Sequence, residues 1–181
     1  AGLLLSRGLT QLSTLAHHRG APDLMCQANA LLGRTATAAC SELGRRGHWA
    51  DRDAQTELRS LGERIAILGL CLSYLRAVRP HRFPEDSRLL DDFSTAIQLL
   101  DDVTDWEEDW RVGAYTYPLV LALRGVAATS PRFRPDRLTA DGILASMIIT
   151  GSLERAVDES TSRLRTVIQC ATCSNSTGLR F

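Results

Sequence analysis

The sequence predicts an all-α protein built as an antiparallel helical bundle. Apolar residues recur at three- and four-residue intervals over most of the 181 residues, and no stretch alternates apolar and polar residues as a half-buried strand does. Hydrophobic residues make up 44% of the chain, which suffices for a core and excludes a disordered protein. We therefore expect one helical domain over residues 1–173, followed by a polar tail over residues 174–181.

Two helices are expected in the first part of the chain. The first runs from about Pro22 to Arg46, where two glycines favour its end. The second begins after Asp51 or Asp53, since either carboxylate can accept hydrogen bonds from the free N–H groups of a first turn. It is expected to end near Pro80, because proline lacks a backbone donor and restricts the residue before it.

The third expected helix begins near Pro84 and carries the most unusual part of the sequence. Its spacing predicts a buried apolar stripe formed by Leu90, Phe93, Ile97 and Leu100. Steps of four residues from Ile97 lead to Asp101, Asp105 and Asp109, so the stripe ends in a ladder of carboxylates. Like charges at this spacing cost about 0.2–0.5 kcal/mol per pair, which a bound cation would offset. Oxygen ligands suit Mg²⁺, which usually shares carboxylates with substrate phosphates.

The remaining third of the chain is also expected to be helical. A turn at Gly113 ends the acidic segment, and a short apolar helix follows. Residues 129–135 contain two prolines and predict a loop. A single amphipathic helix is then expected from Thr139 or Asp141 to about Cys170.

Charge and hydropathy restrict the classes of partner. The 21 basic and 21 acidic residues balance, so no overall field attracts nucleic acid or an anionic membrane. No apolar run reaches the roughly 18–20 residues that span a bilayer, and no signal-peptide cleavage pattern is present. We therefore expect a cytoplasmic protein. The chain starts at Ala1 rather than methionine, so we expect the bundle to be incomplete at its N-terminus.

Residues 98–105 read Gln-Leu-Leu-Asp-Asp-Val-Thr-Asp, and residues 113–119 read Gly-Ala-Tyr-Thr-Tyr-Pro-Leu. Together these segments resemble the second aspartate-rich region of the class I isoprenoid synthases, which include trans-prenyl diphosphate synthases and terpene synthases. The resemblance implies a helical bundle in which Mg²⁺ holds a prenyl diphosphate substrate. It implies a prenyltransferase or terpene synthase that ionises the allylic diphosphate and then couples or cyclises the cation. A homodimer or hetero-oligomer is compatible with it.

The resemblance also implies roles for individual residues. The expected metal ligands are Asp101, Asp102, Asp105 and Asp109. The expected substrate-binding residues are Gln98, Arg64 and Tyr117, and the expected catalytic residues are Asp101, Asp105 and Arg111. The alternative for the carboxylates is a solvated acidic helix end that binds nothing.

The chain departs from the family pattern at one important place. The family carries another Asp-Asp-x-x-Asp motif well over a hundred residues before the second one, and no such motif occurs before residue 86 here. We therefore expect the C-terminal part of a synthase-like bundle, with half of an active site. The rival hypothesis is a non-catalytic helical subunit of the same fold that modulates a complete synthase.

Overall fold

The computed structural model describes residue 14 and residues 22–44, 47–64, 87–130 and 133–176, and over these ranges it confirms an all-α fold. Within them no strand occurs, and no helix is both long and apolar enough to cross a bilayer. The helices are α1 (Pro22–Gly44), α2 (Ala54–Arg64), α3 (Ser87–Thr104), α4 (Trp106–Val112), α5 (Tyr117–Thr129), α6 (Ala140–Ile149) and α7 (Ser152–Ser176). A short 3₁₀ turn at Pro135–Arg137 begins at the last residue of the expected loop.

Helix α2 begins where the sequence predicts, at a capping aspartate. Asp53 Oδ2 accepts hydrogen bonds from the Thr56 backbone N–H at 2.9 Å and from the Thr56 hydroxyl at 3.0 Å. Both bonds favour the ionised carboxylate and lower the pKa of Asp53. Asp53 rather than Asp51 is therefore the cap. The expected end of this helix near Pro80 and the expected start of the next near Pro84 lie outside the described residues.

Helices α3 and α7 make the most extensive contact between two helices and run antiparallel. The Ser160 hydroxyl donates to the Ala96 carbonyl oxygen at 3.0 Å, and Arg163 Nη1 donates to Asp92 Oδ1 at 2.7 Å. From the first pair to the second, the residue number rises along α7 and falls along α3, so the two helices are antiparallel. Ala96 and Ser160 are small and buried, so the two backbones lie close together.

The buried face of α3 is not the one that the sequence pattern predicts. Phe93, Ile97 and Leu100 are 38%, 40% and 38% exposed, and Leu90 is half-buried. The buried residues are instead Ser94, Thr95, Ala96, Leu99 and Asp102. The prediction of the buried stripe is therefore wrong, because the buried face of α3 is rotated around the helix axis from the expected one. Ala96 faces Ser160 of α7 and permits close packing there, Leu99 is buried in the core, and Phe93, Ile97 and Leu100 lie on the adjacent side of the helix.

The single helix expected from residue 139 or 141 to Cys170 is also wrong, because the structure divides it. Thr139 caps α6, and its hydroxyl oxygen accepts the Gly142 N–H at 3.2 Å. Gly151 then adopts a left-handed conformation with φ 64°, which turns the chain between α6 and α7. Helix α7 continues to Ser176, beyond the expected start of the polar tail at residue 174. Residues 177–181 lie outside the described part.

Two apolar clusters form the core. One joins α2, α3, α5 and α7 through Leu58, Leu61, Leu99, Tyr117 and Ala156. The other joins α5 and α6 through Leu119, Ala122, Leu123, Ile143 and Met147. Five partly buried aromatic residues pack against the second cluster: Trp49, Trp106, Trp110, Tyr115 and Phe133. Leu99 of α3 belongs to the first cluster, and Trp106 and Trp110 of α4 pack against the second. The acidic segment is therefore attached to the core on both sides of its bend.

Candidate functional site

The ladder of carboxylates lies across the junction of α3 and α4. The chain bends at Asp105, yet the Asp105 N–H donates to the Asp101 carbonyl at 2.9 Å and the Asp109 N–H donates to the Asp105 carbonyl at 3.0 Å. The helical spacing therefore continues through the bend. In a regular helix, side chains one turn apart have Cβ atoms about 5–6 Å from each other, so this backbone spacing places Asp101, Asp105 and Asp109 along one side of the segment.

The four candidate metal ligands differ in exposure. Asp101 and Asp105 are exposed, Asp109 is half-buried, and Asp102 is 2% exposed. The Gln98 side-chain amide Nε2 donates to Asp101 Oδ2 and to Asp102 Oδ1, each at 3.1 Å. Gln98 therefore connects an outward carboxylate with a buried one and restricts the rotation of Asp101.

Mg²⁺ binding at these residues stays a prediction, with exposed Asp101 and Asp105 as the candidate ligands. Among the described residues, no three His, Cys, Asp or Glu side chains lie close enough together to hold a metal ion. Mg²⁺ commonly takes only one or two carboxylates and completes its shell with water and substrate phosphate. Asp101 and Asp105 meet that requirement, since they are exposed and one turn apart. These two residues would hold the metal.

The other expected site residues differ in where the structure places them. Arg111 is exposed in the last turn of α4. Tyr117 is buried in the core beside Leu99, so the proposed site does not include its expected contact with diphosphate. Arg64 is the last residue of α2, and its side chain lies outside the described part of the chain.

A buried ion pair supports the turn after the acidic segment. Arg52 Nη1 lies 3.3 Å from Glu57 Oε2 and donates to the Tyr115 carbonyl oxygen at 2.6 Å. Gly113 has φ 71°, and its carbonyl accepts the Gly47 N–H at 3.0 Å. These contacts fix residues 113–115 on the segment before α2. Sequence patterns did not indicate Arg52, because nothing in its neighbourhood marks a partner 63 residues away.

The buried Tyr117 hydroxyl predicts a loss of stability in alkali. Burial raises its pKa above the ordinary value of 10, Glu159 raises it further, and Arg155 and Arg163 oppose the change. The folded state thus holds this proton more tightly than the unfolded state does. We expect stability to be full below about pH 10 and to fall as the pH rises above it. Tyr117→Phe should flatten this dependence in urea titrations carried out at a series of pH values.

Apolar side chains continue directly into the exposed carboxylates. Ile97 lies one helical turn before Asp101, and Phe93 lies one turn before Ile97 on the same side of α3. All three are exposed. This side of the helix therefore presents a hydrocarbon surface with an acidic end, an arrangement that suits a ligand with an apolar tail and a metal-bound anionic head.

Comparisons with models of protein families, with curated proteins and with solved structures found no match to this chain. The resemblance to isoprenoid synthases thus stays a prediction, based on the two segments at residues 98–105 and 113–119.

Proposed function

We propose that the acidic end of α3 binds the diphosphate group of a prenyl diphosphate through Mg²⁺, and that the adjoining apolar surface binds the prenyl chain. One observation carries the proposal: exposed Ile97 and exposed Asp101 are neighbours on one side of a helix. Hydrocarbon next to a cation site is complementary to an amphiphile with a phosphorylated head. The sequence resemblance supports the same class of ligand.

The proposed activity is that of a prenyltransferase or terpene synthase. Mg²⁺ at this position would stabilise the negative charge that develops on the diphosphate when it leaves an allylic carbon. In this chain Asp101 and Asp105 would hold the metal, and the Gln98 amide hydrogen-bonds Asp101. Phe93 and Ile97 keep water from the hydrocarbon. Coupling and cyclisation of the resulting cation are both compatible with these residues.

Calorimetric titration with farnesyl diphosphate tests the proposal. With Mg²⁺ present, we expect Asp101→Asn and Asp105→Asn each to weaken binding about tenfold or more, a loss of roughly 1.4 kcal/mol. The matched control is Glu107→Gln, which removes an exposed charge of α4 only two residues from Asp105 and therefore on a different side of the helix from the ladder. Farnesyl diphosphate should bind more tightly than inorganic diphosphate, because only the former contacts the apolar surface.

Two further results decide between the enzyme and its rival. Diphosphate release that requires Mg²⁺, from geranyl, farnesyl or geranylgeranyl diphosphate, supports a synthase. Tight binding without release supports the non-catalytic subunit. Binding that is indifferent to Mg²⁺, or that Glu107→Gln weakens as much as Asp101→Asn, contradicts the proposed site.

A further inference from the structure

Asp102 differs from the other candidate metal ligands in its surroundings. It is 2% exposed, whereas Asp101 and Asp105 are exposed and Asp109 is half-buried. Asp102 follows Leu99 by three residues and shares its buried face of α3. Mg²⁺ usually keeps several of its water molecules, so exposed carboxylates bind it more readily than enclosed ones. Exposure therefore favours Asp101 and Asp105 as ligands, and the contacts of Asp102 indicate a different role.

Gln98 is a hydrogen-bond partner of Asp102. The Gln98 side-chain Nε2 lies 3.1 Å from Asp102 Oδ1 and 3.1 Å from Asp101 Oδ2. Ionised carboxylates accept hydrogen bonds and do not donate them, so both acceptors require the NH₂ side of the amide rather than its oxygen. Each of the two carboxylates thus takes one hydrogen of Nε2. Because Asp102 is enclosed and Asp101 is exposed, the amide links a carboxylate held by packing to one that packing does not hold.

Asp101 benefits from this link as a ligand. An exposed aspartate samples several side-chain rotamers, and binding a metal ion requires one of them. The hydrogen bond from Gln98 favours the rotamer in which Oδ2 of Asp101 faces the amide, which leaves Oδ1 for a cation. The orientation of the ligand is then set before the cation arrives.

We propose that Asp102 is a positioning residue: it orients the Gln98 amide, and the amide orients Asp101 for Mg²⁺. The inference rests on the proposed function, since the cation is the one proposed to bind there. Partners that hold a metal ligand by a hydrogen bond commonly account for about 10–100-fold in metal affinity. The adjacent residues Asp101 and Asp102 therefore divide two tasks, ligand and support, between two faces of one helix.

Calorimetric titration of the whole chain with Mg²⁺ alone, without any diphosphate, tests this role. Asp102→Asn keeps an acceptor oxygen for Gln98, whereas Asp102→Ala removes it, and both substitutions remove the same negative charge. The difference between them therefore reports the hydrogen bond. We expect Asp102→Ala to bind Mg²⁺ about tenfold more weakly than Asp102→Asn does. Asp101→Asn should weaken binding more than Asp102→Asn, because only the former removes a ligand.

Gln98→Met provides a second test, because methionine fills a similar volume without a donor. It should weaken Mg²⁺ binding about tenfold. In the Gln98→Met background, Asp102→Ala and Asp102→Asn should bind Mg²⁺ equally, since the support acts through the amide. Ser94→Ala is the control for a merely structural effect, because Ser94 is a buried polar residue of the same helix. It should leave Mg²⁺ binding unchanged even where urea denaturation shows a loss of stability.

The outcomes separate this inference from the proposed function. Equal Mg²⁺ affinities of Asp102→Ala and Asp102→Asn, or a loss in Asp102→Asn as large as that in Asp101→Asn, overturn the inference and leave the proposed site in place. If Asp102→Ala does not fold, Gln98→Met decides, and an affinity equal to that of the unsubstituted chain overturns the inference. Unchanged Mg²⁺ binding by Asp101→Asn overturns the proposed site and the inference with it. The expected Mg²⁺ affinities without any binding of farnesyl diphosphate would support the positioning role and overturn only the proposed substrate.

Discussion

Arg52→Ala is expected to lower the free energy of unfolding by about 3–5 kcal/mol, because removing one partner of a buried ion pair leaves the other charge away from water. Arg52 and Glu57 are 2% and 0% exposed, and their side chains lie 3.3 Å apart. The substitution also removes the 2.6 Å hydrogen bond to the Tyr115 carbonyl. The turn between the acidic segment and α5 would thereby lose one of its supports.

Urea denaturation measures this effect, with Arg59→Ala as the control. Arg59 is an exposed arginine of the same helix, α2, and its replacement should change stability by less than about 0.5 kcal/mol. The double variant Arg52→Met with Glu57→Leu should be less destabilised than Arg52→Ala, since no buried charge then lacks its counterpart. A double variant less stable than Arg52→Ala would contradict this account of the pair.

Local rules predicted the parts of the fold that depend on a few neighbouring residues. The Asp53 cap, one of the two that were expected, is complete within three residues. Arg52 was not predicted because its partner Tyr115 is 63 residues away. The break at Gly151 was missed because the apolar spacing of the flanking segments continues across it.

The phase of α3 shows the limit of such patterns. Its sequence offers two apolar faces, one with Phe93 and Ile97 and one with Ala96 and Leu99. The pattern favoured the face with the larger side chains. In the structure, the face with Ala96 and Leu99 is buried, because Ala96 permits close packing against α7 and Ser160 donates a hydrogen bond across that contact. Only the partner helix distinguishes the two faces.

The same phase decides which carboxylates reach solvent. Asp102 follows Leu99 by three residues and therefore shares its buried face, while Asp101 follows Ile97 by four and shares its exposed face. The ladder spacing of Asp101 and Asp105 was correctly predicted, because it is a local property of a helix. The link of Gln98 to both Asp101 and Asp102 depends on the same spacing of three and four residues. Metal binding by this arrangement stays a prediction.

Leu99→Ala should lower the free energy of unfolding by about 2–5 kcal/mol, because Leu99 is fully buried where α2, α3, α5 and α7 meet. Phe93→Ala removes a larger side chain from the same helix, yet it should lower stability by less than about 1.5 kcal/mol, since Phe93 is already 38% exposed. Denaturation at low protein concentration measures both variants without a contribution from association. If Phe93→Ala is the more destabilising, the buried face of α3 is the one that carries the large side chains. Asp101 would then point toward the core, and the exposed site proposed for Mg²⁺ would be lost with it.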